Sequence, residues 1–433
     1  MEYRAAVSLL QPWKLDFGEL ESLASIAQSS RIIGVGEGAH FVSEFSLARA
    51  SLIRYFVEGH GFNSVGLECG AIQGRRISEW LNSATDDDDL QNAVNPLTFA
   101  LYGSVLTWLK SYLRETGRRL IVIGIDLPNT LNPRDDLEQL SRDIEILDTT
   151  VKPEVDALRQ SLASISGESA MVSSTQWGEL DPASRDKALA GIMRLKLRLM
   201  GLAPVLTKLR GNEPFQNVSD RVLSVEHTLE TLRIMKTLFD GTSLQGDTSV
   251  RESFMAGVVE KRLQEDPNLK ILLLAHNNHI QKTLLSFSGE LTAVPMGQHL
   301  AHRRDYHAIG ATHLGATVPE MQYPSPESPL GFSVELAPAD EIQKDSVEQR
   351  IVDAGGMTAS CVVLADDVSG TKRIRSQSTS VETNVNEAFD AILCIPGINK
   401  DKLVDLWGPK VEMMVHNSRI NSQGESGSGL AIR

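Results

Sequence analysis

The sequence predicts an α/β protein: a central, mostly parallel sheet flanked by helices, with a helical insertion forming a lid or cap. Two observations predict this class. Short apolar runs alternate with helical periodicities over residues 31–126, and strands separated by helices imply right-handed parallel crossovers. Strand patterns then almost disappear over residues 134–245 and return in the second half of the chain.

The first elements follow one another in a regular order. An apolar run predicts the first strand, and the apolar residues after it recur at intervals of three and four, which is typical of a helix. Two glycines, Gly59 and Gly61, end that helix, and two more apolar runs flank a second helix rich in Leu and Trp. The predicted elements are strand 31–36, helix 45–56, strand 64–68, helix 105–114 and strand 119–126.

The middle of the chain predicts helices, with long helical patterns at 185–209 and 218–239. This insertion either shapes a substrate cleft or is plain structural mass. Later strands are predicted at 270–275, 291–296, 306–311, 331–336, 360–364 and 391–395. The predicted domains are a discontinuous α/β catalytic core, 1–133 and 246–416, a helical insertion, 134–245, and a Ser-, Gly- and Asn-rich tail, 417–433, that is expected to be disordered.

Composition and charge exclude several classes of protein. The 433 residues are 41% hydrophobic and 23% charged, which is ordinary for a soluble globular protein with a sizeable core. A formal net charge of -14 argues against nucleic-acid and anionic-membrane partners. No signal-peptide pattern is present and no apolar run reaches the ~18 residues of a transmembrane helix, so we expect a cytoplasmic protein. Cys69, Cys361 and Cys394 are too few for a disulfide framework and are expected to be buried as small apolar residues.

Two segments far apart in the chain carry titratable residues directly after apolar strands. Glu37 and His40 follow the first strand, and His276 and His279 follow the strand at 270–275. Ligands of open α/β sheets bind beyond the carboxyl ends of the strands, so these side chains are expected at one rim. A carboxylate beside an imidazole fixes its tautomer and raises its basicity. The alternative for the first segment is a helix-capping loop whose Glu accepts backbone N–H groups.

Two more carboxylates end strands in the same way. Glu68 closes an otherwise apolar strand, and Asp126 closes the strand at 119–126. A carboxylate at such a place is either paired with a cation or has a raised pKa, and Arg49 on the first helix is the candidate cation for Glu68. Each of these residues alone also has a structural explanation. Their shared location predicts a site for acid–base or metal chemistry.

Motifs of other enzyme classes are missing from the sequence. There is no G-x-S-x-G elbow and no Walker A sequence. The glycines Gly34, Gly36 and Gly38 lack the spacing of a dinucleotide-binding loop, and the segment His276–His279 does not have the H-E-x-x-H pattern of a zincin.

A set of short motifs in a fixed order resembles the erythromycin esterase family. The resemblance covers about residues 30 to 315, and we see little specific resemblance beyond that point. The motifs are G-E-x-x-H at 36–40, E-F at 44–45, a strand ending in Glu at 67–68, G-x-D at 124–126, R-E-x-x-M-A at 251–256, A-H-N-x-H-I at 275–280, M-G-x-x-L at 296–300 and Y-x-x-I-G at 306–310.

The resemblance implies a hydrolase that cleaves a lactone or carboxylic ester with a water molecule activated by His40. It places Glu37, Arg49, Glu68, His276 and His279 around that base. Arg251 and Asp126 are expected to line the substrate cleft. The resemblance implies no cofactor and leaves the metal requirement open, and a cation, arginine or protonated histidine, is expected to stabilise the oxyanion.

One departure from the family pattern lies beside the proposed base. Phe41 follows His40, where family members usually have Gly, and is expected to narrow the substrate pocket. This departure motivates an alternative in which the same site performs intramolecular acyl transfer, elimination or cyclisation in a biosynthetic pathway. A second alternative is a non-catalytic binding protein.

Overall fold

The computed structural model describes residues 4–83, 90–287, 289–323, 325, 328–356 and 358–404. Its strands divide into one large sheet and three two-stranded hairpins. The strands are β1 (Arg4–Ala5), β2 (Ile32–Val35), β3 (Ser64–Gly70), β4 (Ile121–Asp126), β5 (Ile271–Leu274), β6 (Leu285–Phe287), β7 (Glu290–Ala293), β8 (Tyr306–His313), β9 (Thr317–Gln322), β10 (Ser333–Pro338), β11 (Cys361–Leu364), β12 (Arg373–Ser376), β13 (Thr379–Glu382) and β14 (Ala391–Ile395).

The large sheet has eight strands in the order β1-β11-β14-β8-β2-β5-β3-β4. The strands from β14 to β4 are parallel, and β1 and β11 are antiparallel at one edge. In the centre of the sheet, Val35 of β2 pairs with Leu274 of β5 and Ile309 of β8. The carboxyl ends of these strands therefore meet at one rim, and the predicted mostly parallel α/β fold is confirmed.

Helices cover both faces of the sheet and fill the segments between strands. Two separate apolar cores lie on the two faces, as the alternating side chains of β5 show: Leu272 and Leu274 belong to one and Ile271 and Leu273 to the other. The helices are α1 (Ala24–Ser29), α2 (Ser43–His60), α3 (Ala71–Asn82), α4 (Leu90–Ala93), α5 (Pro96–Thr116), α6 (Arg134–Leu147), α7 (Lys152–Ser161), α8 (Ala170–Glu179), α9 (Pro182–Arg210), α10 (Asn212–Phe239), α11 (Ser249–Glu265), α12 (Asn277–Ile280), α13 (Met296–Leu300), α14 (Val347–Asp353) and α15 (Val385–Ala388).

The helical insertion has an apolar core of its own. Helices α6 to α10 bury residues such as Leu140, Trp177 and Val225 against one another, and Phe254 of α11 joins the same cluster. These elements are helices, which agrees with the missing strand pattern in this part of the sequence. The domain boundaries, and the function of the insertion as a lid, stay predictions.

Two predicted strands lie outside the large sheet. The run predicted at 291–296 forms β7, paired with β6, and the run at 331–336 forms β10, paired with β9. Apolar content marked both as strands but did not show their partners. The predicted tail, 417–433, lies outside the described residues. The three cysteines are buried and form no disulfide, as expected. No described helix is both long enough and apolar enough to cross a membrane.

Candidate active site

The loop after β2 brings its side chains to the rim because its backbone is held close to neighbouring strands. A Cβ atom on Gly36 would lie 2.1 Å from Asn277 Oδ1, and one on Gly38 would lie 2.7 Å from the carbonyl oxygen of Ala311. Only glycine fits such close approaches. Helix α2 begins at Ser43, so Glu37 and His40 lie in this loop and not in the first helical turn.

Glu37 joins His40 to Arg49. Its Oε1 is 2.7 Å from His40 Nδ1, and its Oε2 accepts a hydrogen bond of 2.7 Å from Arg49 Nη1. Burial alone would raise the pKa of Glu37, but the Arg49 charge and the His40 hydrogen bond outweigh it and lower that pKa. Glu37 is therefore an anion that accepts a hydrogen bond from the Nδ1–H of His40, which leaves the Nε2 lone pair of His40 available.

Arg49 is a buried structural cation. Its side chain is 2% exposed, and its Nη2 donates to the carbonyl oxygens of Val35 and Ala275 at the ends of β2 and β5. The expectation that Arg49 pairs with Glu68 is wrong, because the guanidinium binds Glu37 and the carbonyl oxygens at the ends of β2 and β5.

His276 lies against His40. The two ring centroids are 4.9 Å apart. The backbone N–H of His276 donates a hydrogen bond to Glu68 Oε1, so Glu68 pairs with this N–H and not with Arg49. Burial first, and then electrostatic interactions with His40, His279 and Arg49, lower the pKa of His276 well below its usual range, against an opposing hydrogen bond with the Gly38 backbone. His276 is therefore neutral at pH 7.

His279 is in the opposite state. Its Nδ1 is 2.6 Å from Glu252 Oε1, and its Nε2 is 3.9 Å from Glu68 Oε1. Burial alone would lower the pKa of His279, but Glu252 and Glu68 raise it to about 9. His279 is thus an imidazolium at pH 7, with a side chain 15% exposed.

Glu252 is a site residue that sequence reasoning missed. Burial alone would raise its pKa, but the charge and hydrogen bond of His279 outweigh burial and lower it, and Oε2 accepts the Met296 N–H at 2.9 Å. Glu252 is the second residue of the R-E-x-x-M-A motif, directly after Arg251. Its position directly after Arg251, a predicted cleft residue, was the signal in the sequence that could have identified Glu252 as a site residue.

Arg251 and Asp126 form a buried ion pair at the far end of the site. Arg251 Nε lies 2.9 and 3.0 Å from the two carboxylate oxygens of Asp126, and Nη2 makes a further short contact. Burial would lower the pKa of Arg251, but Asp126 raises it above its usual range. Asp126 is inaccessible, whereas the Arg251 side chain is 31% exposed, so only the arginine of this pair is available to a ligand.

Phe41 has an unusual backbone. Its φ angle is +64°, a region that favours glycine, and its side chain is buried with Ala100 and Phe332. The positive φ gives a physical reason for the glycine usual here in the family. The Phe41 ring lies 5.9 Å from the His40 ring, centroid to centroid. That Phe41 narrows the substrate pocket stays a prediction.

Among the described residues, no cluster of three His, Cys, Asp or Glu has an arrangement that could hold a metal ion. The chemistry of the donors agrees, since a protonated His279 has no lone pair to offer. A catalytic zinc ion takes three protein ligands, and the carboxylates beside His40 and His276 have other partners: Glu37 binds Arg49, and Glu68 accepts the His276 backbone N–H.

Fold and site together define an α/β enzyme with a carboxylate-bound imidazole at the carboxyl ends of its parallel strands. The erythromycin esterase family model matches residues 57–398. The chain is 62% identical over 406 residues to an Escherichia coli "Erythromycin esterase type I", covering 94% of this chain and all of the relative. It is 26% identical over 398 residues to "Erythromycin esterase type II" from Escherichia coli, covering 89% and 94%.

A solved structure of an erythromycin esterase mutant in its open conformation superposes with a TM-score of 0.92 at 62% identity, covering 94% of this chain and all of that one. The chain therefore belongs to the erythromycin esterase family and is an ester hydrolase. The comparisons do not favour the rearrangement and binding alternatives. The expectation that the resemblance ends near residue 315 is wrong, because the family match continues to residue 398.

Proposed function

We propose that this chain hydrolyses a lactone or carboxylic ester by direct attack of a water molecule that His40 activates. One observation carries the proposal: Glu37 lies 2.7 Å from His40 Nδ1 and is itself bound by Arg49. An imidazole so held donates through Nδ1 and accepts through Nε2, as a general base requires.

The proposed reaction moves one proton through His40. Nε2 takes a proton from water as the water oxygen bonds to the substrate carbonyl carbon, and a tetrahedral oxyanion forms. The same Nε2 then gives its proton to the departing alkoxide as the ester C–O bond breaks. The products are a carboxylic acid and an alcohol, joined in one open chain when the substrate is a lactone. Glu37 stabilises the transient imidazolium.

The oxyanion needs a positive or N–H donor that faces the substrate. Arg49 does not qualify, because it is buried and bound to Glu37 and backbone carbonyls. His279 fits better, since Glu252 and Glu68 keep it protonated and part of its side chain is exposed. We assign the oxyanion to His279, and to neutral His276 the donation of a hydrogen bond within the same pocket.

Arg251 is proposed as a substrate-binding residue. The guanidinium bonds to Asp126 through Nε and Nη2, and Nη1 does not contact Asp126. A partly exposed, fixed guanidinium recognises oxygen-rich substrates. Asp126 then acts through Arg251 and not by direct contact. Phe41, beside His40, is proposed to narrow the pocket.

The substrate class is proposed from the relatives. Two relatives carry the name erythromycin esterase, so a macrolide lactone is the first substrate to test. Neither a nucleic acid nor a membrane is a proposed partner, given the net charge of -14. The three buried cysteines form no disulfide, which supports a reducing compartment, and we propose the cytoplasm. No metal or other cofactor takes part in the proposed reaction.

The proposal is tested by incubating the protein with a panel of macrolactones and simple esters and weighing the products by mass spectrometry. Hydrolysis adds the mass of one water, whereas rearrangement or elimination does not. His40→Ala should remove the product, and His302→Ala, which alters an exposed histidine, should not. Folded protein that adds water to no member of the panel would contradict the proposal.

A further inference from the structure

Gln377 occupies an unfavourable backbone position at the tip of a hairpin. Ser376 of β12 pairs with Thr379 of β13, so Gln377 and Ser378 are the two turn residues. Gln377 has a φ angle of +56°, and the first position of such a turn normally holds glycine or asparagine. A glutamine is the poorer choice for this backbone, so its side chain must supply a compensating interaction.

The side chain of Gln377 reaches the catalytic loop. Its Oε1 accepts a hydrogen bond of 2.5 Å from the His40 backbone N–H, and the backbone N–H of Gln377 donates to the Gly38 carbonyl oxygen at 2.6 Å. These two bonds bracket Ala39 and link the hairpin to a loop more than three hundred residues earlier. Glu37 orients the ring of His40, whereas Gln377 fixes its backbone.

The hairpin tip is itself held from the other side. Gln377 Nε2 lies 3.3 Å from the Pro319 carbonyl oxygen and 3.4 Å from Glu320 Oε2, and the Ser378 N–H donates to Glu320 Oε1 at 2.6 Å. Strand β9 thus anchors the tip, and the tip in turn anchors His40. The Gln377 amide contacts His40 through its oxygen and β9 through its nitrogen, so a shorter side chain cannot make both contacts.

We propose that Gln377 is a positioning residue for hydrolysis, which holds the His40 backbone so that Nε2 meets the attacking water. This inference rests on the proposed function of His40. Misplacement of a catalytic group by about 1 Å lowers turnover by up to ~10²-fold. Loss of the Gln377 side chain should therefore lower kcat by ~10- to 100-fold while KM, which reports substrate binding, changes little.

Two substitutions separate positioning from folding. Gln377→Gly suits the positive φ angle and removes the side chain, so the melting temperature should not fall. Gln377→Asn also tolerates this backbone and keeps the amide, but is one carbon shorter and should lose turnover as well. Ser378→Gly is the matched control, because it makes the same kind of change in the same turn and the Ser378 contacts are backbone contacts.

Hydrogen exchange followed by mass spectrometry supplies a readout that does not depend on activity. Peptides spanning residues 36–42 should exchange faster in Gln377→Gly than in wild type or Ser378→Gly, because His40 loses its acceptor. Unchanged exchange in these peptides would overturn the inference, even if no substrate is turned over. Unchanged kcat in Gln377→Gly, alongside an inactive His40→Ala, would overturn it while leaving the proposed function intact.

Discussion

The rings of His40 and His276 lie 4.9 Å apart, centroid to centroid, with their planes inclined by 55°. Only His40 has a carboxylate on its Nδ1, whereas the Nδ1 of His276 accepts the Asn278 N–H at 3.2 Å. Two neighbouring imidazoles with different partners take different roles. Burial, the largest cause, keeps His276 neutral, so the ring beside His40 carries no positive charge.

Glu37→Gln should impair both activity and stability. The amide cannot stabilise the imidazolium of His40, so turnover should fall by ~10²–10⁴-fold. It also leaves Arg49 buried without a counter-charge, which costs about 3–5 kcal/mol of unfolding free energy. Steady-state kinetics and chemical unfolding measure the two effects.

Glu58→Gln is the matched control for that substitution. It removes the same charge from a partly exposed pair with Arg54, where the loss should be about 0–1 kcal/mol. Equal losses of stability for the two variants would show that the buried Glu37–Arg49 pair stabilises the fold no more than a partly exposed pair does.

The charge of His279 predicts a pH dependence. Its pKa is about 9 in the folded protein and about 6.5 when unfolded, so its stabilising contribution is complete below pH 6.5 and is lost as the pH rises through 9. The melting-temperature advantage of wild type over His279→Gln should therefore shrink between pH 6.5 and 9.

The same group predicts the alkaline limb of the activity profile. If the imidazolium binds the oxyanion, kcat should fall as the pH rises through about 9, and His279→Gln should lack this limb. An alkaline limb at the same pH in both proteins would assign it to another group.

The local parts of the site could be predicted from sequence. Glu37 and His40 are three residues apart after a strand, and Glu68 and Asp126 close strands, so strand direction alone places all four at one rim. Burial of the three cysteines followed from their apolar surroundings in the same way.

Partners from distant segments could not be predicted. The pairing of Arg49 with Glu37, and not with Glu68, depends on how helix α2 packs across the strand ends. Gln377 contacts His40 from a hairpin whose turn lacks the usual glycine or asparagine, so the sequence gives no indication of the turn. Glu252 meets His279 only because α11 packs beside α12.

Because Phe41 has a positive φ, we expect its glycine variant to be more stable than its alanine variant, which reverses the usual order of stability. Removing the buried ring lowers the free energy of unfolding by about 3–5 kcal/mol in both variants. Phe41→Gly regains about 1–2 kcal/mol of it, because glycine adopts the left-handed backbone without strain. Both variants should be less stable than wild type, with Phe41→Gly more stable than Phe41→Ala. Greater stability of Phe41→Ala in urea unfolding would contradict the strained backbone.

Metal removal should leave activity unchanged. His279 is protonated and bound to Glu252, and the carboxylates Glu37 and Glu68 have other partners, so three free ligands for a catalytic zinc ion do not meet here. Protein dialysed against EDTA should keep its kcat, and added Zn²⁺ should not raise it. A loss on dialysis that Zn²⁺ restores would require a different mechanism.

Direct attack of water activated by His40 is tested most directly by a single turnover in oxygen-18 water, with enzyme in excess over a macrolactone substrate. We expect one oxygen-18 atom in the carboxyl group of the first-turnover product, no labelled glutamate in the protein, and a rate ~10²–10⁴-fold lower for folded His40→Ala. An unlabelled first product together with oxygen-18 in a glutamate side chain would show a covalent intermediate and contradict direct attack. An undiminished rate in His40→Ala would contradict the role of His40 as the base.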